Sequence, residues 1–321
     1  MSRVTFLNEP KLSEHAVDAK FNERRIALLP QVRELLENNS RFEGLDIKVT
    51  IAHKGVSSLV CILDTSKEKL VLKIPLSLSY NEGEALFLNA WEEAGVKVPH
   101  VYDSGRIGEH SHTLMEFIDA PILSDTESRR ELIERRKFFE MGQALRKMHT
   151  TRASGYGKVS SGSPEFATFR EWINSKDMEK RGVQIREHNL LTEEELALYG
   201  KAVEVMTEYV ASHPESTYCH DDFGTSNIFD TEPITVFDPS PRFNNNYIDV
   251  GRALLNQLDK EMAFDQIIEG YFGTDEYDHK VLFASIFISI YIKLPYAHQT
   301  KSTSRIKGYM DYLSKNKHLL V

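Results

Sequence analysis

Apolar residues recur near helical spacing between Phe21 and Glu37, at Ile26, Leu28, Leu29, Val32, Leu35 and Leu36, which predicts a helix. Pro30 lies inside the pattern and predicts a kink or a restart there. Alternation then replaces the helical period. Ile47, Val49 and Ile51 face one way, Gly55 interrupts, Leu59–Leu63 resumes as a second strand, and Leu70–Ile74 follows a polar turn as a third. Glu82–Ala94 reads as a helix with Phe87, Leu88 and Trp91 on one face. Val98–Ser104 and Thr113–Phe117 read as two further strands. Beyond residue 120 the pattern is helical, over Glu131–His149, Phe169–Asn174, Glu193–Ser212, Asp249–Phe272 and Val281–Ile292. The prediction is an α+β chain of two lobes. Residues 1–118 form an N-terminal lobe with a five-stranded antiparallel sheet, an inserted helix and an extra N-terminal helix; residues 119–321 form a larger helical lobe.

Composition narrows the classes. The chain has 321 residues, 41% hydrophobic and 27% charged, so a buried core is available. Its formal charge of −9 disfavours a general binder of nucleic acid or anionic membrane. Two cysteines, Cys61 and Cys219, offer no disulfide framework. The N-terminus lacks the apolar core of a signal peptide, and the apolar run Val281–Ile292 is too short to span a bilayer, so a cytoplasmic protein without membrane or nucleic-acid partners is expected.

The stretch Tyr218–Asp230 is the most informative. His220-x-Asp222-x-x-x-x-Asn227 has the spacing of a kinase catalytic loop, and Val236-Phe237-Asp238 follows as a short β-type run ending in a carboxylate. Phosphoryl transfer needs one carboxylate to orient the attacking hydroxyl and accept its proton, and oxygen ligands to hold magnesium. Asp222 suits the first task; Asn227 and Asp238 suit the second. Each could instead be an ordinary turn residue. Lys73, alone among the apolar residues of Val71-Leu-Lys73-Ile74, reads either as a snorkelling strand lysine or as a phosphate-binding lysine held by a helix carboxylate. Glu84 shares the helical face of Phe87, Leu88 and Trp91, whereas Glu82 lies about 200° away, so Glu84 is the expected partner. Gly55-Val-Ser57-Ser58, between the first two strands, stands where a loop over the phosphates belongs. The order of these parts along the chain is that of a kinase. Asp221 receives no chemical role, and Asp221→Asn is expected to be far milder for turnover than Asp222→Asn.

With these motifs the chain resembles, over about residues 45–295, the aminoglycoside phosphotransferase and choline kinase family of protein-kinase-like small-molecule kinases. The family's loop commonly reads His-Gly-Asp-x-His-x-x-Asn; here it reads His220-Asp-Asp222-Phe-Gly224-Thr-Ser-Asn227, departing at Asp221 and Gly224. The resemblance implies that Leu114–Asp119 is an interlobe hinge, in which the carbonyl of Glu116 and the amide of Ile118 bind the adenine edge. It also implies that Asp249 braces the catalytic loop, with His220 as further structural support; by its position alone, Asp249 reads as the cap of a helix beginning at Val250.

The expected activity is Mg2+-dependent transfer of the γ-phosphate of ATP or GTP to a hydroxyl of a small molecule, such as an aminoglycoside, an amino sugar or a choline-like acceptor. The alternatives are a pseudokinase or nucleotide-binding scaffold and, less favoured, a protein kinase. Only ten residues separate Asp238 from Asp249, which leaves little room for an activation loop. The carboxylates of residues 251–300, among them Glu269, Asp275 and Asp278, suit either a cationic acceptor pocket or solvated helix faces.

Overall fold

The computed structural model describes residues 3–10, 16–52, 57–76, 83–126, 128–160, 162–258 and 260–321. One compact unit comprises Met1–Glu92, Val98–Asp119 and Ser160–Gly162. Its sheet contains β1 (Arg3–Phe6), β2 (Asp46–Ile51), β3 (Ser58–Asp64), β4 (Lys69–Pro75), β5 (Val101–Ile107) and β6 (His110–Glu116), in the order β1-β2-β3-β4-β6-β5. The five expected antiparallel strands are present, and β1 adds a sixth by pairing parallel to β2. Four residues are too few for a periodic signal, so only the pairing reveals that strand. Strands β5 and β6 form a hairpin that turns at Gly108 and Glu109, with Arg106 opposite Ser111.

Alternation puts Ile47, Val49, Ile51, Leu59, Cys61, Leu63, Leu70, Leu72 and Ile74 in one core cluster. Helix α1 (Ala16–Asn38) contributes Leu28, Val32 and Leu36 to it. This helix continues through Pro30 without a restart. Helix α2 (Gly83–Glu93) buries Glu84, Phe87, Leu88 and Trp91, at the i, i+3, i+4, i+7 spacing of one face.

The second unit comprises Glu93–Lys97, Ala120–Val159 and Ser163–Val321. The long helix expected over Glu131–His149 follows the short α3 (Leu123–Thr126) as two pieces, α4 (Arg129–Glu134) and α5 (Lys137–Met148), broken where Arg136 turns left-handed at φ 56°. After α6 (Phe169–Ile173) comes α7 (Lys176–Glu187), which periodicity missed because its buried stripe is only Met178, Gly182 and Ile185. Helix α8 (Glu193–Ser212) matches its expected span and opens with a capping box between Thr192 and Glu195. The expected Asp249–Phe272 helix is again two, α9 (Asn246–Leu254) and α10 (Glu261–Phe272); α11 (His279–Gln299) and α12 (Thr303–Asn316) follow.

This unit also holds strands, of which the sequence reading anticipated only the short run at Val236. Strands β7 (Arg152–Ala153), β8 (Tyr156–Ser160), β9 (Ser163–Phe166), β10 (Ser216–Cys219) and β13 (Arg242–Asn244) form a sheet in the order β7-β10-β13-β8-β9, and β11 (Ile228–Phe229) pairs with β12 (Thr235–Val236) as a separate ribbon. Helix α11 is long and apolar enough to cross a membrane, yet it is mostly buried, packed against α8, α9 and α12. Tyr199 of α8 stacks on Tyr291 of α11 with ring centroids 3.7 Å apart. Helices α9 and α11 meet at Gly251, where an added Cβ would lie 2.8 Å from the backbone carbon of Ser285. That contact lets the two backbones approach closely and fixes α11 against the helix that carries Asp249 and Arg252.

Candidate active site

The loop that follows β10 is anchored from beneath. The backbone amides of His220 and Asp221 donate to the two oxygens of Asp249, at 2.7 and 2.8 Å, and Asp249 is 1% exposed. Asp249 stands inside the first turn of α9, whose cap is Asn245, so the capping reading of Asp249 is corrected. Behind it Nε2 of His149 lies 3.0 Å from Oδ2 of Asp249, and Nδ1 lies 2.8 Å from the Tyr271 hydroxyl. Asn246 Nδ2 donates to that hydroxyl at 2.9 Å. With Asp249 accepting, His149 donates to it from Nε2, and the Tyr271 hydroxyl, which accepts from Asn246, is placed to donate to Nδ1. Burial pushes the Tyr271 phenol up and keeps it a donor.

His220 is fully buried, and its Nε2 lies 3.0 Å from the carbonyl oxygen of Phe237, the residue before Asp238. The β11–β12 ribbon pairs Ile228 with Val236, and beyond it the Phe237 amide donates to the Asn227 carbonyl at 3.1 Å. The ribbon therefore holds Asn227 and the chain leading into Asp238 in register. Asp238 is exposed and has a left-handed backbone, φ 54°. Asn227 Nδ2 donates to the Asp222 carbonyl at 2.8 Å and lies 3.3 Å from Asp222 Oδ2. Its amide nitrogen is thereby committed, and its side-chain oxygen is the atom suited to a hard cation.

The other oxygen of Asp222 has a different neighbour. Oδ1 lies 3.2 Å from Nζ of Lys293, on α11. Although the Asp222 side chain is 56% exposed, protein crowds it on several sides. Burial pushes its carboxyl up, but Lys293, followed by His220 and Arg252, draws it below the ordinary carboxylate value. Burial and the neighbouring Arg252 hold the Lys293 ammonium below its ordinary value, against the pull of Asp222.

Asp221 is the hub of a further network. Its carboxylate lies 2.7 Å from Arg242 Nε and 3.3 Å from Arg252 Nη2, and Arg252 also donates twice to its carbonyl, at 3.2 and 2.9 Å. Its backbone is left-handed, φ 58°. These contacts give Asp221 a structural role that the spacing alone did not assign. Lys293, Arg242 and Arg252 were missed in the sequence. Lys293 carried the same signal as Lys73, a lone lysine in an apolar run.

In the sheet-rich unit, Lys73 Nζ lies 2.5 Å from Glu84 Oε1, both residues under 10% exposed. Burial of either charge alone would be costly, and the contact gives each its counter-charge on β4 and α2. Glu82 and Gly55 lie outside the described residues. Ser57 is exposed, and its carbonyl accepts from the Leu76 amide at 2.9 Å where β3 meets β4. Glu116 ends β6, its amide donating to the His100 carbonyl at 2.9 Å, and Ile118 lies two residues further on, in irregular chain.

A profile of the phosphotransferase enzyme family matches residues 48–240, more than half of the chain. The chain belongs to the phosphotransferase enzyme family. Its fold has counterparts among solved structures. A choline/ethanolamine kinase family protein from Mesorhizobium loti aligns at TM-score 0.59 and 16% identity, over 91% of this chain and 95% of that one. A thermostable mutant of aminoglycoside phosphotransferase APH(4)-Ia, in ternary complex with ADP and hygromycin B, aligns at 0.60 and 14%, over 90% and 98%. A putative fructosamine-3-kinase from Thermobifida fusca aligns at 0.55 and 14%, over 84% and 95%. At these identities the likeness is one of fold, α+β of the protein-kinase-like kind. No curated protein matches the sequence. As a member of the phosphotransferase enzyme family, the chain is a small-molecule kinase. Its departure from the common loop at Asp221 now has a physical account: the position is left-handed, which glycine adopts freely, and here an aspartate is held in that conformation by Arg242 and Arg252.

Proposed function

We propose that this phosphotransferase moves the γ-phosphate of ATP or GTP to a hydroxyl of a small molecule, with Asp222 as the acceptor base and with magnesium held by Asn227 and Asp238. The observation that carries the reading is the division of Asp222, with Oδ2 toward the amide of Asn227 and Oδ1 on the side away from it, open to a hydroxyl beside Lys293. The donor set fits the ion, since the Asn227 nitrogen is committed to Asp222 and the remaining donors are oxygens. When bound, magnesium would neutralise phosphate charge.

In this reading Asp222 orients the acceptor hydroxyl and takes its proton as the oxygen bonds to the γ-phosphorus; the bond from that phosphorus to the bridging oxygen breaks, and the nucleoside diphosphate leaves. Lys73, held by Glu84, binds donor phosphates together with the Gly55–Ser57 loop. The Glu116 carbonyl and the Ile118 amide take the base. ADP and AMP-PNP in complexes of APH(4)-Ia, and ADP with spectinomycin in APH(9)-Ia, support a nucleotide donor and a small-molecule acceptor. We place the enzyme in the cytoplasm, where such donors are supplied.

Calorimetry with ATP and with GTP tests the donor and metal assignments. Affinity should fall on adding EDTA and in Asp238→Ala, and equal metal-independent binding by both proteins would overturn them. ADP release across sugars, amino alcohols, aminoglycosides and hydroxy acids would find the acceptor.

A further inference from the structure

The catalytic carboxylate meets a lysine on the side where the acceptor has to bind. Asn227 takes the Oδ2 side of Asp222 at 3.3 Å, and Lys293 sits 3.2 Å from Oδ1. A hydroxyl donating to Oδ1 at about 2.7 Å therefore lies no more than about 6 Å from the lysine ammonium. Both side chains reach solvent, Lys293 at 34% exposure and Asp222 at 56%, so a bound solute meets the two charges together. The ammonium cancels the attraction that the aspartate alone would exert on a cationic acceptor.

Further cations stand behind the pair. Arg252 and Arg242 flank Asp221, and Arg181 donates to the carbonyl of Ile292, the residue before Lys293, at 2.6 Å. Four cations thus stand around the loop with the carboxylates of Asp221, Asp222 and Asp249, and Asp249 is spent on two backbone amides and His149. The acidic residues that suited a cationic pocket are engaged elsewhere in several cases. Glu269 pairs with Arg136, Asp275 pairs with Arg146, and Asp278 caps α11.

We propose that Lys293 is a positioning residue on the acceptor side of Asp222, and that the acceptor carries an anionic group close to the hydroxyl that is phosphorylated. The inference rests on Asp222 being the acceptor base. Lys293 holds Oδ1 in place and attracts the anionic group of the acceptor, which sets the hydroxyl between the two side chains. A polycation would have to bring an ammonium beside Lys293, and like charges at that range are disfavoured.

Four compounds that share one three-carbon backbone test this: glycerate, glycerol 3-phosphate, glycerol and 3-aminopropane-1,2-diol. Their binding to protein saturated with magnesium and AMP-PNP is measured by calorimetry, and their turnover with ATP by ADP release. The wild type should favour the two anions over the amine by about tenfold or more, and the two anions compared with each other separate a carboxylate from a phosphate ester. Lys293→Gln should collapse the preference mainly through KM for the anions, with nucleotide affinity unchanged, and Lys293→Arg should restore most of it. Equal or equally absent binding of the four compounds, a preference for the amine, or an unchanged preference in Lys293→Gln would overturn the inference. Failure of the wild type to bind nucleotide with magnesium would overturn instead the phosphotransfer reading on which it rests.

Discussion

Nε of Arg242 lies 2.7 Å from Oδ2 of Asp221, and this contact ties β13 to the loop that carries Asp222. The carboxylate is 13% exposed, and the guanidiniums of Arg242 and Arg252 are 16% and 5% exposed. Asp221→Asn would leave two nearly buried cations without their shared counter-ion. Removing one partner of such a group costs about 3 kcal/mol. Urea unfolding should show a loss of that order, and Asp221→Asn combined with Arg242→Leu should recover part of it.

Asp222→Asn keeps size and much of the hydrogen bonding and removes the charge. Turnover should fall on the order of 10²–10⁴-fold, the usual contribution of a general base. Nucleotide affinity should stay near that of the wild type. Steady-state assays with an acceptor in hand, beside circular dichroism, check both. Full activity would show that the loop has been read in the wrong register.

Gly251→Ala probes the contact that sets α9 against α11. The added methyl would sit 2.8 Å from the Ser285 carbon and 2.9 Å from the Ile286 nitrogen, both backbone atoms. Relief requires the helices to separate, at about 1–3 kcal/mol. Because Lys293 rides on α11 while Asp249 holds the Asp222 loop on α9, the variant should lose activity as well as thermal stability. Thermal unfolding and ADP release measured on the same preparation would show the two losses together.

Asp230 predicts an acid dependence. Its carboxyl is held below the ordinary 3.8 by hydrogen bonds from Arg135, against burial and with help from Lys137. The lowered folded value means that its stabilisation is full above the ordinary value and is lost as pH falls through the folded one. Arg135 is 35% exposed, so solvent screens the pair and about 1–2 kcal/mol is the scale. Wild type and Asp230→Asn should differ by that amount in denaturant unfolding at neutral pH, and the gap should close as pH is taken below 3.8.

Much of the site could be read from the chain alone, because its parts are local. The loop motif puts Asp222 and Asn227 five residues apart, and a helical period of 3.6 is enough to choose Glu84 for Lys73, a choice the 2.5 Å contact matches. Strands β2 to β4 were legible for the same reason, since Ile47, Val49 and Ile51, then Leu59, Cys61 and Leu63, then Leu70, Leu72 and Ile74 recur at every second position, a pattern that β5 and β6 lack. Where the buried stripe shrinks to two or three residues, as in α7 and α12, the period carries no signal.

The sequence by itself determined the order of strands β2 to β6 and of helices α1 and α2 in the first unit, and the spacing of the kinase-like loop. Tertiary structure decided what surrounds Asp222. Lys293 is 71 residues from Asp222, and Arg252 is 31 residues from Asp221. No periodicity joins residues at such separations; they meet because α9 and α11 pack closely at Gly251 and because β13 pairs with β10. The charge beside Asp222 is therefore a property of helix packing, and a reading along the chain could see the aspartate but not the lysine beside it.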